Sequence, residues 1–249
     1  MKILMSGATG KMGRMIFQML EQSKQHQIIA GFAVELDEKL PFPIYLNLEE
    51  CQETDEIEMI IDFSSPNSLA DLLNFALANK KPIILASTGY SAEQEEQIKK
   101  ASKSIPILHS KNMSLGINVM QMLVERMAAA LSDFDIEIIE KHHRYKKDSP
   151  SGTAKMLFES VNKGRDNKLT ELDGRAGMYD SREINEVGVS ALRGGTIVGE
   201  HSVIFAGEDE ILEIKHTANS RAIFANGAIK AAEFLLDQKP GFYTMNDVL

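Results

Sequence analysis

K-I-L-M-S-G-A-T-G-K-M-G, residues 2–13, runs from a short apolar strand directly into glycines at positions 7, 10 and 13. Glycines in such a turn let the backbone approach a pyrophosphate, and the N-terminus of a following helix faces its negative charge. Glu35 ends the next predicted strand, where a carboxylate would accept hydrogen bonds from the ribose hydroxyls of an adenosine. The stretch therefore predicts a dinucleotide site. The alternative is that these glycines only satisfy tight turns.

Apolar strands and helical segments alternate through the first hundred residues. Further strands are predicted at 27–34, 59–63, 82–86 and 105–109, and helices at 11–22, after Pro66 and at 91–103. Strands that are apolar throughout and separated by helices are typical of a parallel sheet covered on both faces. The first half is therefore predicted to be a Rossmann-like, doubly wound α/β domain.

The residues around Glu35 favour NAD over NADP. A carboxylate there repels a 2′-phosphate, and it is followed by Leu36 rather than by an arginine that could hold one. Lys11 and Lys39 remain as phosphate partners, so we expect use of NADH or of both cofactors. Two later strand ends, A-S-T-G (86–89) and S-K-N-M-S (110–114), fall at the carboxyl edge of the sheet, where they would meet the nicotinamide half.

The pattern changes near Ser114. A helix over 116–131 leads to a strand at 134–141, another helix follows Pro150, and the chain is then polar through 180. Strands are predicted at 183–193, 196–206 and 210–217. The pair Gly194-Gly195 suits a tight hairpin between the first two, and 207–209 serves the next turn. Successive hairpins predict an antiparallel meander, and so an α+β second domain at 114–218 beside the first at 1–113.

A cationic segment, E-K-H-H-R-Y-K-K-D-S-P-S-G-T-A, occupies residues 140–154. Six of the seven residues 141–147 are Lys, Arg or His, in a chain of net charge −9. Like charges so close raise the free energy of the folded state unless an anion lies among them. The S-P-S-G-T-A part predicts a helix start, whose free N–H groups form a second anion receptor. Together they predict a pocket for a small molecule that carries carboxylates or phosphates; the alternative is a solvated basic loop.

Composition excludes several classes of protein. With 43% hydrophobic and 25% charged residues among 249, the chain has the composition of a soluble globular protein. No apolar run approaches the roughly 20 residues that span a bilayer, and the acidic balance argues against a nucleic-acid partner. The single cysteine, Cys51, fits a reducing, cytoplasmic compartment and is too few for a cysteine-based zinc site. Adjacent His142 and His143 have poor spacing for a metal, so we expect none.

The segment at 140–154 resembles the signature E-x-H-H-x-x-K-x-D-x-P-S-G-T-A of the 4-hydroxy-tetrahydrodipicolinate reductase (dihydrodipicolinate reductase) family. Other motifs that look like those of the family follow in family order: G-A-T-G-K-M-G (7–13), I-D-F-S-S-P (61–66), S-T-G-Y (87–90), N-M-S-L-G-I-N-V (112–119), R-G-G-T-I-V-G-E-H (193–201) and S-R-x-x-F-A-N-G-A (220–228). The resemblance spans essentially the whole chain.

The resemblance implies a reduction of 4-hydroxy-tetrahydrodipicolinate in diaminopimelate and lysine biosynthesis. Hydride would pass from NAD(P)H to a cyclic imine-type dicarboxylate. By the same resemblance His142 would be the general acid/base, and His143, Gly152 and Thr153 would bind substrate. Lys146 would donate a proton, although a role as a carboxylate anchor alone stays open.

The resemblance also assigns the cofactor side. The matching positions are Gly7, Ala8, Thr9, Gly10, Lys11, Met12, Glu35, Ala86, Ser87, Thr88, Ser110, Lys111, Asn112 and Met113. Ala86 and Ser87 depart from the glycine and threonine usual there. The family further implies that 219–249 completes the first domain and that the second domains associate in a homotetramer. Because cofactor and substrate are assigned to different domains, hydride transfer requires a cleft to close, and we expect hinges near 112–116 and 219–221.

Two other functions are compatible with the residues alone. One is another NAD(P)-dependent reductase of a small dicarboxylate. The other is a non-catalytic dinucleotide-sensing protein, which would have no reason to keep His142 and Lys146.

Overall fold

The computed structural model describes residues 1–178 and 180–249, and the chain divides into two compact units. The first unit comprises Met1–Leu115 and Ala222–Leu249, and the second comprises Gly116–Arg221. Within the described part of the chain, no helix is long and apolar enough to cross a lipid bilayer.

The helices and strands follow one another in this chain order: β1 (Lys2–Ser6), α1 (Lys11–Leu20), β2 (Gln27–Phe32), β3 (Ile44–Tyr45), β4 (Met59–Asp62), α2 (Leu69–Ala78), β5 (Ile83–Leu85), α3 (Ala92–Ala101), β6 (Pro106–His109), α4 (Leu115–Ala130), β7 (Asp135–His142), α5 (Gly152–Gly164), β8 (Thr170–Asp173), β9 (Glu186–Arg193), β10 (Gly199–Ala206), β11 (Ile211–Ala218), α6 (Ala222–Leu236), β12 (Gly241–Tyr243) and α7 (Met245–Val248). Short 3-10 turns lie at Leu48–Glu50 and Pro66–Ser68.

The first unit is built on a parallel seven-stranded sheet of order β12-β6-β5-β4-β1-β2-β3. Successive residues of a strand point to opposite faces, so Ile3 and Met5 of β1 join one core and Leu4 joins the other. Helices α1 and α6 pack in the first core, and α2 and α3 in the second. Cores on both faces confirm the predicted doubly wound fold.

The second unit is built on a five-stranded sheet of order β11-β10-β7-β9-β8. The central strand β7 alternates strictly, with Ile136 and Ile138 in a single core. Helices α4 and α5 supply the other side of that core, including Val124 and Leu157. Because α4 and α5 both pack on one face of this sheet, no helix of this core, within the described residues, covers the opposite face.

The predicted antiparallel meander is wrong in its order. Strand β9 pairs with β7 in parallel and β10 pairs with β7 in antiparallel, so β7 separates the two strands that Gly194-Gly195 was expected to join as a hairpin. The chain instead crosses the end of β7, where the Gly194 N–H donates to the His142 carbonyl at 2.9 Å. The predicted hairpin at 207–209 does occur, because β10 and β11 pair in antiparallel and Gly207 bonds to Glu210.

The mixed order follows from the helix inside the unit. Helix α5 lies between β7 and β8, and such a crossover returns the chain in the same direction. A second connection, residues 174–185, then places β9 between β8 and β7, parallel to both. Strand β8 itself lies in the segment predicted to be polar and without strands. The hydrophobic pattern specifies which face of a strand is buried, but it does not specify which strand lies beside it.

Candidate active site

The glycine turn has the geometry of a phosphate-binding loop. Gly7 has φ +76°, and a Cβ there would lie 2.7 Å from the Phe63 carbonyl oxygen. A Cβ at Gly13 would overlap the backbone of Gly7 and Ala8, so only glycine lets α1 begin so close to the strand. Gly10, the residue before α1, has no side chain to cap the helix N-terminus. The loop therefore fits the pyrophosphate of a dinucleotide.

A buried carboxylate ties the carboxyl ends of three adjacent strands together. Asp62, fully buried at the end of β4, accepts from the Ser6 hydroxyl at 2.7 Å on Oδ1 and from the Ser87 hydroxyl at 2.7 Å on Oδ2. Ser64 donates its N–H to Oδ1 at 3.0 Å, and Tyr90 donates its hydroxyl to Oδ2 at 3.4 Å. Burial raises the pKa of Tyr90, with the Asp62 charge as the next cause, so this phenol keeps its proton.

The residues predicted to meet the nicotinamide half follow β5 and β6 at the same edge. Ala86 donates its N–H to the Asp62 carbonyl at 3.0 Å, and Thr88 is exposed. The Ser110 hydroxyl donates to the Asn112 carbonyl at 2.8 Å, which closes a tight turn. Met113 is 2% exposed and packs in the core, so only its backbone can face a ligand. Lys111 is exposed.

The turn after β2 carries Glu35 and an ion pair. Glu35 is exposed three residues beyond the strand. Nearby in sequence, Asp37 forms an ion pair with Arg14, whose Nη2 lies 2.5 Å from Oδ2, and Arg14 donates from Nε to the Thr9 carbonyl at 3.0 Å. The backbone N–H of Lys39 is the main cause that lowers the pKa of Asp37. Arg14, which the sequence analysis did not single out, therefore joins the glycine loop to the segment after Glu35.

In the second unit, a buried carboxylate holds His142. Glu140 and His142 lie two residues apart on β7, hence on one face, and Glu140 Oε2 is 2.6 Å from His142 Nδ1. Arg193 places Nη1 and Nη2 each 2.7 Å from a different oxygen of Glu140, and the Ser151 N–H donates to Oε1 at 2.9 Å. Burial raises the pKa of Glu140, but the bonds from His142 and Arg193 outweigh it and bring the pKa to about 2.

A second buried histidine packs against His142. The rings of His142 and His201 are 5.1 Å apart, nearly perpendicular, and His201 Nε2 lies 2.9 Å from the Ser151 hydroxyl. Burial lowers the pKa of His201 to about 4, and the charge of His142 adds to this, so His201 is neutral near pH 7. On another side, a Cβ at Gly199 would lie 3.1 Å from His142 Nε2. This glycine leaves room around the second ring nitrogen.

Lys146 and His143 follow in the loop after β7. Lys146 Nζ is 2.8 Å from Asp148 Oδ1, and this bond lowers the pKa of Asp148. The Nδ1 atom of His143 is buried and has no hydrogen-bond partner among residues 1–178 and 180–249. Arg144 and Lys147 are exposed. The loop therefore offers one ammonium that an anion can recruit and one ring nitrogen that still requires a partner.

Gly152 and Thr153 open α5. Ser151 caps this 13-residue helix, because its hydroxyl accepts from the Ala154 N–H at 3.1 Å. The same Ser151 donates its own N–H to Glu140, which fixes the helix start beside β7. A Cβ at Gly152 would meet no atom within 4 Å, so its surroundings are open. Besides the bond from Lys146, the Gly152 N–H contributes to the lowered pKa of Asp148, which shows that this helix start favours a carboxylate.

The structure thus brings His142 and the start of α5 together through Glu140. Five residues of these two networks were not among those predicted from the sequence to form a site: Glu140, Arg193, Ser151, His201 and Asp62. Glu140 had a local signal, because its spacing of two residues from His142 on a strand implies a shared face. Among residues 1–178 and 180–249, no group of three or more His, Cys, Asp or Glu side chains is placed to hold a metal ion.

Comparisons with known proteins agree with the resemblance. The family described as dihydrodipicolinate reductase, N-terminus, matches residues 1–113, and that described as dihydrodipicolinate reductase, C-terminus, matches 116–249. The chain is 44% identical to 4-hydroxy-tetrahydrodipicolinate reductase of Caldanaerobacter subterraneus subsp. tengcongensis over 100% of its own length and 98% of the relative. It is 45% identical to the protein of the same name from Clostridium novyi, with the same coverage.

A solved structure shares the fold. Dipicolinate-bound dihydrodipicolinate reductase from Paenisporosarcina sp. TG-14 superimposes with a TM-score of 0.83. The match covers 100% of this chain and 99% of that chain at 20% identity. Both units thus have the architecture of that protein.

Proposed function

The chain belongs to the dihydrodipicolinate reductase family, and on that premise we propose that it reduces 4-hydroxy-tetrahydrodipicolinate to tetrahydrodipicolinate with NAD(P)H, in diaminopimelate and lysine biosynthesis. The observation that carries this proposal is the single carboxylate, Glu140, bonded both to His142 and to the start of α5. Glu140 thus connects the His142 imidazole, which can transfer a proton, with a helix N-terminus, which can bind a carboxylate.

His142 is the general acid/base in this proposal. Its Nδ1 donates to Glu140, so Nε2 is the nitrogen that exchanges a proton with the substrate. The net reaction takes up a hydride and a proton and releases the 4-hydroxyl as water. Lys146 supplies a proton to the atom that develops negative charge; its ammonium lies 2.8 Å from the exposed carboxylate of Asp148, which a substrate carboxylate can replace.

The two carboxylates of the substrate need separate receptors. The N–H groups at Gly152 and Thr153 and the Thr153 hydroxyl bind one of them, since a helix N-terminus favours an anion. His143, whose buried Nδ1 has no partner, binds the other together with Lys146. Charge-assisted bonds of this kind are about twice as strong as neutral ones.

Reduced NAD(P) supplies the hydride when it is bound. The glycine turn would hold the pyrophosphate through Gly7, Ala8, Thr9, Gly10, Lys11 and Met12. Glu35 would bind the adenosine ribose, and residues 86–88 and 110–113 would contact the nicotinamide half. The exposed Glu35 carboxylate favours NADH or dual use, because it repels a 2′-phosphate.

The second unit is also proposed to form the homotetramer. Its uncovered face carries the apolar side chains Ile139, Leu192, Ile204 and Ile211, which the strand register places on one side of the sheet. Leu192 is 48% and Ile211 68% exposed in the single chain, which suits a surface that packs on another copy. Light scattering should give four times the chain mass. The one cysteine accords with a cytoplasmic location.

A coupled assay tests the reaction directly. The preceding synthase makes the substrate from pyruvate and aspartate semialdehyde, and the oxidation of NADH and NADPH is then followed. We expect oxidation with NADH at least as fast as with NADPH. Oxidation of neither would refute the activity, and a strong preference for NADPH would refute the proposed role of Glu35.

A further inference from the structure

We propose that Glu140 and Arg193 are positioning residues that hold His142 in one tautomer and one orientation for the reaction. The inference rests on the proposed function of His142 as the acid/base. In this inference Glu140 of β7 and Arg193 of the neighbouring strand β9 orient the His142 ring so that Nε2 faces the substrate.

The tautomer follows from the donors around Glu140. Its Oε2 lies 2.6 Å from His142 Nδ1, and an ionised carboxylate can only accept hydrogen bonds. Nδ1 must therefore carry a hydrogen, and Nε2 is left to give or take the working proton. With its pKa brought to about 2, Glu140 remains ionised across the physiological range.

The orientation follows from the other bonds of the same carboxylate. Arg193 binds both oxygens at 2.7 Å in a bidentate pair, and the Ser151 N–H binds Oε1 at 2.9 Å. Glu140 is fully buried, so these four donors complete its surroundings and prevent rotation about the carboxyl bond. Arg193 is held in turn by the Asp148 carbonyl, which accepts from Nη2 at 2.7 Å.

The strand order supplies Arg193 at this place. Arg193 is the last residue of β9 and pairs in parallel register with His142, the last residue of β7. The parallel pairing of β9 with β7 therefore places the guanidinium beside the end of β7. The remaining side of the ring is bounded by Gly199, where a Cβ would lie 3.1 Å from Nε2.

Replacing Glu140 by glutamine keeps the volume of the side chain and removes one of its two acceptor oxygens. In any orientation the amide turns its NH₂ towards donors: either towards His142 and Arg193 Nη1, or towards Ser151 and Arg193 Nη2. The first orientation forces His142 Nδ1 to accept, which moves its hydrogen to Nε2; the second breaks the bond to the start of α5. For E140Q we expect kcat to fall about 10²–10⁴-fold, as for other carboxylates that fix a catalytic imidazole, with a smaller change in KM.

A matched control lies on the same strand. Glu137 also pairs with two arginines, Arg175 and Arg182, but it faces away from His142. E137Q should keep kcat within about twofold, because Glu137 lies on the face of the sheet opposite to His142. Arg193→Lys keeps the charge without the fork, and we expect an intermediate loss of kcat, which remains measurable if E140Q folds poorly.

Ring-nitrogen NMR of His142, assigned through His142→Asn, provides a readout that needs no substrate. We expect the Nδ1–H form in the wild type, and in E140Q we expect either its loss, where the amide NH₂ faces His142, or a shifted Ser151 N–H resonance, where the NH₂ faces Ser151. Wild-type kcat in both E140Q and Arg193→Lys, or an Nε2–H form in the wild type, would overturn the inference while leaving the activity intact. An inactive wild type with the Nδ1–H form would instead refute the proposed function alone.

Discussion

Asp62 in the first unit and Glu140 in the second are both fully buried carboxylates at the carboxyl ends of central strands. They differ in the charge of their donors. Asp62 accepts mainly from neutral hydroxyls, whereas Glu140 accepts from an arginine, a histidine and one backbone N–H. Neutral donors can order loops around a phosphate-binding edge without adding charge, whereas cationic donors set the state of a group that moves protons.

This difference predicts which half of the reaction each unit controls. Changes near Glu140 should alter turnover, and changes near Asp62 should alter cofactor affinity. It also predicts different losses of folding stability. Removing the Glu140 carboxylate leaves a buried cation unpaired, whereas removing the Asp62 carboxylate leaves only neutral hydroxyls unpaired, which are less costly to bury.

The largest expected effect is on turnover in Lys146→Ala. The loss of the proposed proton donor should lower kcat about 10²–10⁴-fold, while NADH affinity, followed by fluorescence, stays within about twofold of the wild type. Lys163→Ala, on the exposed surface of α5, is the control and should retain activity. A loss of NADH binding in Lys146→Ala would place this lysine outside the substrate site.

The next effect is on stability in Glu140→Ala. It leaves Arg193 without its bidentate partner, and breaking a buried ion pair costs about 3–5 kcal/mol. Urea unfolding measures this loss. Glu137→Ala, whose side chain is 27% exposed, should lose less, about 1 kcal/mol. Equal losses in both would contradict the special burial of the Glu140 network.

Much of the fold could be predicted from the sequence, and less of the site. β1, its glycine turn and the alternation that follows are local patterns, so the parallel sheet was predictable. Arg193 is 53 residues from Glu140, and their contact exists only because β9 lies beside β7. Local hydrophobicity does not encode that neighbour, and the glycine pair 194–195 suggested a hairpin instead. The Asp62 contacts to Ser6 and Ser87 depend likewise on strand order.

A pH effect should arise from His201. Its pKa of about 4 lies below the ordinary value of 6.5, so the unfolded chain binds a proton that the folded chain does not. Stability is therefore complete above about pH 6.5 and falls by about 3 kcal/mol as the pH decreases to 4. In His201→Gln, the urea midpoint of unfolding should depend less on pH between 4 and 6.5. An unchanged slope in the variant would assign the acid sensitivity to other groups.

The smallest expected effect is in Asp62→Asn. An amide can keep some of the bonds to Ser6, Ser64 and Ser87 but must donate where the carboxylate accepted, at a cost of about 1–3 kcal/mol. We expect KM for NADH to rise several-fold while the affinity for pyridine-2,6-dicarboxylate is unchanged. Asp71→Asn, at an exposed position of α2, is the control. A selective loss of dicarboxylate affinity in Asp62→Asn would reverse the assignment of the two units.

The most direct measurement for the whole account is a crystal structure with pyridine-2,6-dicarboxylate, a flat analogue of the substrate. One carboxylate should accept from the N–H groups at Gly152 and Thr153, with Lys146 and His143 on the other and His142 Nε2 facing the ring. A dicarboxylate bound away from the α5 N-terminus, with His142 remote from it, would contradict the assignment.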